Sequence, residues 1–142
     1  MNLHIDVDKR SDIFTKYHIV PLSGVAVHEF LEAEPITALA HDHACDFVTH
    51  IREGSYVERN WYYHYGIWKY TDTLRETGTH HTVQADHIHQ IIEQPQGRCV
   101  TLTVWGPIIR TWRFWRFDNG RATYREHDSD EWKEFEFQPH IS

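Results

Sequence analysis

Short runs in which apolar and polar residues alternate dominate the chain from Gly24 onward. In the run GVAVHEFLE, Val25 and Val27 fall on one side of a strand and His28 and Phe30 fall on the other, because successive strand positions point to opposite faces. Runs rich in β-branched and aromatic residues recur as DFVTHIRE, SYVER, HHTVQADHIHQIIE, CVTLTVW, TWRFWRF and RATYRE. Short strands spaced by about 8–12 residues predict an antiparallel sandwich or barrel.

Turn signals separate these runs. The tripeptide Asp118-Asn119-Gly120 is typical of a two-residue turn between paired strands, and Gly54 predicts a hairpin between DFVTHIRE and SYVER. Near the C-terminus, DSDEWKEF begins with residues that cap helices and continues with acidic residues, which predicts a short terminal helix. Residues 1–23 are polar and mixed, and they indicate either an N-terminal arm or a first strand.

Composition narrows the class of protein. The length of 142 residues predicts one domain, residues 1–142, because domains cluster at roughly 100–150 residues. No apolar run approaches the roughly 20 residues of a membrane span, and the first twenty residues lack a signal peptide's apolar stretch. The formal charge of −7 argues against a nucleic-acid partner, which needs clustered Lys and Arg. Cys45 and Cys99 are expected to be free thiols, and we expect a cytoplasmic protein.

Histidine is the outlier of the composition, with 13 copies in the chain. The segment HDHACDF places His41 and His43 two residues apart, and the segment HIH does the same for His87 and His89. Residues i and i+2 of a strand share a face and lie about 7 Å apart, so their imidazoles can converge on one ion with bonds of about 2.0–2.1 Å. Because a barrel can oppose the inner faces of two such strands, the two pairs are candidate metal ligands.

The two histidine segments resemble the two motifs of the cupin superfamily, G-x5-H-x-H-x3,4-E-x6-G and G-x5-P-x-G-x2-H-x3-N. His41, His43 and Gly54 hold their places in the first motif, and Gly78 and His89 hold theirs in the second, where every spacing matches. Other motif positions carry different residue types, namely Pro35, Gln84, Asp86 and Glu93.

The chain is also similar to small bacterial cupins of uncharacterised function. Where those proteins have HDHPWDF, GGY and a GFW-type run, this chain has HDHACDF, Gly54-Ser55-Tyr56 and TWRFW. The resemblance covers roughly residues 24–125, and it implies an all-β, antiparallel jelly-roll β-barrel with that segment as its core and residues 1–23 as an N-terminal arm.

One departure from the first motif bears on the metal ligands. The motif's glutamate falls at Phe47, which cannot bind a metal ion. Asp46 lies one residue earlier, and strict alternation turns it away from His41 and His43 unless a β-bulge swings it inward. We therefore expect Asp46 to accept hydrogen bonds from the backbone or from a neighbouring side chain.

The predicted ligand set is His41, His43 and His89, which resembles the thiol dioxygenase branch of the cupins, where three histidines hold ferrous iron. Two alternatives remain. A 2-His-1-carboxylate set would include Asp46, and a register shift of two residues would bring in His87. The expected cofactor is a divalent metal, with Fe(II) favoured and Zn, Mn or Ni as alternatives.

The resemblance implies a metal-dependent enzyme that acts on a small molecule, with Fe(II)-dependent dioxygenase-like activity as the first hypothesis. A metal-dependent isomerase, epimerase or lyase is the second. A non-catalytic metal- or ligand-binding module is the third, because fold does not decide among them. Cupins often pair through edge strands, so a homodimer is expected.

For several other polar residues the sequence indicates a position or a role less clearly. Alternation does not decide whether His28 points into the barrel. His80 and His81 are expected to be solvated because they follow the turn at Gly78, with the entry of one of them into the pocket as the alternative. Cys45 shares the face of His41 by alternation, and it is interpreted as a small packing residue. Arg110 and Arg116 are weak candidates for binding an acidic substrate group.

Overall fold

A computed structural model of the protein describes residues 2–35 and 38–136. Within these residues the chain forms thirteen strands and no helix. The strands are β1 (His4–Lys9), β2 (Phe14–Val20), β3 (Val25–Phe30), β4 (Ala40–His41), β5 (Phe47–Glu53), β6 (Tyr56–His64), β7 (Ile67–Arg75), β8 (His80–Val83), β9 (Ile88–Glu93), β10 (Cys99–Trp105), β11 (Arg113–Asp118), β12 (Arg121–Glu126) and β13 (Lys133–Glu134).

The strands form two antiparallel sheets, in the orders β1-β2-β3-β10-β5-β8 and β13-β12-β11-β4-β9-β6-β7. From β3 to β6 and from β7 to β11, each successive strand lies in the other sheet. This crossing is characteristic of a jelly roll, and the predicted all-β antiparallel fold is confirmed.

The turn at Gly54 is one of the places where the chain passes from one sheet to the other. The hairpin predicted there is wrong, because β5 belongs to the six-stranded sheet and β6 belongs to the seven-stranded sheet. Gly54 has a φ of 75°, and a Cβ at this position would collide with the carbonyl oxygen of Arg98. Only glycine fits both conditions without strain. The turn at Asp118-Asn119-Gly120 does join a hairpin, between β11 and β12, as predicted.

The two ends of the described chain extend the sheets. The segment in which the sequence allowed an arm or a first strand forms β1 and β2, which pair in register from His4↔Val20 to Lys9↔Thr15. The predicted C-terminal helix is wrong, because this segment pairs with β12 as β13. The extended conformation lets Phe135 donate its backbone N–H to Ala122 at 3.0 Å and pack its ring near Trp68. Tertiary packing therefore overrides the local capping signal.

The largest aromatic cluster covers the outer face of the seven-stranded sheet. Its buried members are Ala40, Ile88, Trp115 and Ala122, and aromatic rings such as Trp61 and Phe117 pack against them. These positions alternate with His41, His89 and Phe114, which pair across the same strands on the inner face. Because much of the apolar packing lies outside this sheet, its inner face is available for polar side chains.

Candidate metal centre

Two strands of the seven-stranded sheet bring the predicted ligands together. His41 on β4 pairs directly with His89 on β9, and His43 follows β4, where its backbone N–H donates to the carbonyl of Ala85 at 2.9 Å. The Nε2 atoms of His43 and His89 lie 3.1 Å apart. One ring nitrogen from each of the three histidines lies within 4.8 Å of the other two. The three side chains therefore form a group that could hold a metal ion.

The environment of these imidazoles suits metal binding. His89 is 8% exposed, whereas His41 and His43 are partly exposed. Burial and the neighbouring His89 lower the pKa of His41 to about 3, and the same two causes lower the pKa of His43 to about 2. Both rings are therefore neutral near neutral pH, which is the protonation state that a metal ligand needs.

Asp46 does not point into the histidine group. Its Oδ1 accepts a hydrogen bond from the backbone N–H of Ala85 at 2.7 Å, and its carbonyl accepts one from the N–H of Gly106 at 2.9 Å. Ala85 thus holds the segment on both sides, through Asp46 and through His43. Within the described residues, Asp46 belongs to neither group of side chains that could bind a metal.

A second potential ligand group overlaps the first at His89, and it consists of Glu58, His87 and His89. Glu58 lies on β6 and is 0% exposed. Its Oε1 lies 2.6 Å from His89 Nδ1 and 3.1 Å from His87 Nε2, and its Oε2 accepts a hydrogen bond from Arg75 Nε at 3.0 Å. His87 Nε2 also contacts Asn60 Oδ1. The two rings and the guanidinium therefore surround one carboxylate.

This network keeps Glu58 ionised. Burial raises the pKa of Glu58, but the hydrogen bonds from His87, His89 and Arg75 outweigh burial and hold that pKa well below its usual range. His81 also faces the carboxylate, with its Nε2 at 3.8 Å from Glu58 Oε2. His80 is exposed, as expected, whereas His81 takes the alternative position inside the pocket, with its side chain 10% exposed.

Glu58 is a residue of the site that was not predicted from the sequence. A signal was present in the alternation of SYVER, where Tyr56 and Glu58 share a face of β6. A charged residue on an otherwise inward-facing row indicates a polar partner inside the barrel. The partner was not apparent, because His89 is 31 residues away in sequence.

The remaining candidates are accounted for by other contacts. His28 points into the barrel, where its ring packs against Phe14 at 5.3 Å and its buried Nε2 has no hydrogen-bond partner. Arg110 donates to the buried Asp42 at 3.1 Å, and Arg116 lies over the ring of Trp132 at 3.7 Å. The two cysteines are free, as expected, and Cys45 belongs to neither ligand group.

A cavity of about 450 Å³ lies away from the histidines, on the outer face of the seven-stranded sheet, where Trp61, Trp68 and Tyr70 line it.

Within the residues that the structure describes, no helix is long and apolar enough to cross a membrane.

Solved structures with the same architecture are known. Hydroxypropylphosphonic acid epoxidase from S. wedmorenis aligns with a TM-score of 0.52 at 16% identity over 72% of this chain and 55% of that chain. A structure of the FeII form of HppE gives 0.51 at 14% identity over 73% and 56%. The Drosophila melanogaster CENP-C cupin domain gives 0.54 at 9% identity over 72% and 75%.

At these identities the likeness shows the fold alone, and the predicted cupin fold is confirmed. The chain spans 55% of the epoxidase chain. No family model and no curated protein matches the sequence. The molecule is thus a cupin barrel with a candidate metal site on the inner face of its seven-stranded sheet.

Proposed function

We propose that this cupin-fold protein is a metal-dependent enzyme that acts on a small molecule, and that His41, His43 and His89 bind one divalent metal ion. The observation that carries the proposal is the convergence of the three imidazoles, whose ligand atoms lie within 4.8 Å of one another. Three neutral ligands leave the full charge of the metal ion in place and leave coordination positions for a substrate.

The three-histidine set is favoured over the overlapping set of Glu58, His87 and His89. Glu58 is completely buried and already accepts a hydrogen bond from Arg75. His41 and His43 are partly exposed, so a metal ion bound there is accessible to a substrate. Asp46 is left out of the proposed set because its carboxylate bonds to the Ala85 backbone.

The spacing of one ligand pair favours octahedral over tetrahedral coordination, which fits Fe(II), Mn and Ni better than structural zinc. The separation of 3.1 Å between the Nε2 atoms of His43 and His89 corresponds to two bonds of about 2.1 Å that meet at about 95°. This angle is closer to the 90° of octahedral coordination than to the tetrahedral angle preferred by structural zinc. Among these metals we favour Fe(II), because the three-histidine set resembles that of the thiol dioxygenase branch of the cupins. Fe(II) would supply redox chemistry with O₂, so a mononuclear dioxygenase-like activity is the favoured reaction class.

The experiment is metal analysis of protein purified without chelator, followed by anaerobic Co(II) and Fe(II) titration. We expect one metal per chain, and we expect binding to weaken at least tenfold in His41→Ala and His89→Ala. His50→Ala is the matched control, because His50 lies on the outward side of β5 beside His80, with ring centroids 5.2 Å apart. Equal binding in all four proteins would refute the metal site.

Oxygen uptake with Fe(II) and candidate thiols or diketones then tests the reaction class. Uptake that depends on His41 supports the dioxygenase. Turnover with Mn, Zn or Ni that consumes no oxygen would identify the isomerase, epimerase or lyase instead.

A non-catalytic binding module is the second candidate. The CENP-C cupin domain is a fold neighbour, and one structure of Drosophila CENP-C bound to CAL1 aligns with a TM-score of 0.54 at 9% identity. Stoichiometric metal without turnover on a broad substrate panel would favour this candidate.

We also propose that the protein forms a homodimer and works in the cytoplasm, where Cys45 and Cys99 stay reduced. The edge strand β1 supports the dimer, since Ile5 and Val7 are 61% and 66% exposed on one of its faces. Light scattering should give twice the 17.0 kDa chain mass, and Val7→Asp should give the monomer.

A further inference from the structure

His89 uses both of its ring nitrogens, one toward each potential ligand group. Its Nε2 lies 3.1 Å from His43 Nε2, and its Nδ1 lies 2.6 Å from Glu58 Oε1. A metal ion held by the three histidines would use Nε2 and would leave an Nδ1–H to donate to Glu58. A metal ion held by the second group would need Nδ1 and the Glu58 carboxylate itself. The two groups therefore compete for one imidazole.

We propose that the ion pair between the buried Glu58 and the partly exposed Arg75 selects the first group. It orients His89 with Nε2 toward His41 and His43, and it keeps His87 out of the coordination sphere. The inference rests on the proposed metal-dependent function and deepens it. Glu58 and Arg75 are positioning residues, since neither touches the metal ion in this arrangement.

Arg75 disfavours the second group through its charge. Its Nε lies 3.0 Å from Glu58 Oε2, and the Glu58 side chain is 0% exposed. A divalent ion bound to the same carboxylate would lie near the guanidinium, and the two positive charges would repel each other. The carboxylate instead orients the imidazole, as partners of metal-binding histidines commonly do.

His87 is held by the same network. Its Nε2 contacts Asn60 Oδ1 and lies 3.1 Å from Glu58 Oε1. With Nε2 protonated, His87 donates to these two oxygens and has no lone pair on the nitrogen that lies beside Glu58. His87 therefore shares the inner face with His89 without acting as a ligand.

The test is to remove the charge of Arg75 and ask which histidines the metal then needs. Co(II) affinity and the visible Co(II) spectrum are measured for His41→Ala and His87→Ala, each in the wild-type and in the Arg75→Met background. In the wild-type background, we expect His41→Ala to weaken Co(II) at least about tenfold and His87→Ala to weaken it less than about threefold. In the Arg75→Met background, His87→Ala should become costly, by about tenfold, and the Co(II) spectrum should change.

Arg59→Met is the matched control. Arg59 forms the equivalent pair with Asp72, at 2.9 Å, between the same two strands but on the outer face of the sheet. It should leave the wild-type pattern intact. Thermal unfolding of the metal-free proteins reports whether each variant folds.

The inference would be overturned if His87→Ala reduced the Co(II) affinity by the same factor in the wild-type and in the Arg75→Met background. If Arg75→Met does not fold, Glu58→Gln decides the matter, because its amide oxygen still accepts a hydrogen bond from His89 but cannot bind a metal as an anion. We expect Co(II) affinity to fall by no more than about 100-fold and the spectrum to stay unchanged, as for a residue that orients a ligand. Loss of binding as complete as in His89→Ala would identify Glu58 as a ligand and overturn the inference. Wild-type protein that binds no Co(II) would instead refute the proposed function.

Discussion

The imidazole of His28, which is half-buried with its Nε2 atom enclosed in the barrel, should make the protein less stable in mild acid. Burial, and then the charges of Lys16 and His18, lower the pKa of His28 from 6.5 to about 3. Between these two pH values His28 is protonated in the unfolded chain but not in the folded chain. The free energy of unfolding therefore falls as the pH drops below about 6.5. Each pH unit in this range costs about 1.4 kcal/mol, which gives about 2 kcal/mol at pH 5.

The perturbation is His28→Phe. The ring of His28 lies among aromatic neighbours, with Phe14 at 5.3 Å and Phe30 at 6.1 Å between centroids, and its Nε2 is buried without a hydrogen-bond partner. A phenyl ring keeps the packing and removes both the titration and the unpaired polar atom. At pH 8 we therefore expect stability equal to or above that of wild type.

Urea unfolding of the metal-free protein, followed by tryptophan fluorescence at pH 8 and pH 5, measures the effect. The other histidines contribute equally to the pH dependence of the free energy of unfolding in both proteins, so their contributions cancel in the comparison. His28→Phe should lose about 2 kcal/mol less than wild type between the two pH values, while the outward-facing His50→Phe should show the wild-type loss. Equal losses in His28→Phe and wild type would refute the argument from burial.

Three further outcomes follow from the structure. Asp46→Asn keeps an oxygen acceptor for the Ala85 N–H and should bind stoichiometric Co(II), whereas His43→Ala should not; equal loss in the two variants would mean that Asp46 is a ligand. Trp115→Ala removes a side chain that is 5% exposed and donates a hydrogen bond to Asp42 at 3.1 Å, so the free energy of unfolding in urea should fall by about 3–5 kcal/mol. A fall below about 1 kcal/mol would contradict the assignment of the outer aromatic cluster as a core. Gly54→Ala should destabilise the protein more than Gly78→Ala. Both glycines have positive φ, but only Gly54 has backbone atoms where the Cβ would lie. Equal urea midpoints of unfolding in the two variants would show that the collision at Gly54 is relieved.

The sequence determined the features that depend on local alternation and on spacing. Alternating runs indicated a β barrel, and two His-x-His pairs indicated a metal site, because the period of two puts each pair on one face. The same period predicted that Asp46 turns away from the histidines, and its carboxylate does lie on the Ala85 backbone. The reason differs, however, because residues 42–46 are not in a strand and connect β4 to β5 in the other sheet. The faces needed only the geometry of a single strand, whereas the convergence of the two pairs also needed a barrel that opposes two strands.

Tertiary structure decided the features that depend on which strands meet. The Gly54 turn leads from one sheet into the other rather than into a hairpin, and the C-terminal segment extends a sheet because Phe135 finds an aromatic cluster there. Glu58 became part of the site only because β6 pairs with β9, which sets it beside His89 at 2.6 Å. A strand's own residues specify which side chains share a face, but the partner across that face comes from a distant part of the chain, and long-range packing selects it.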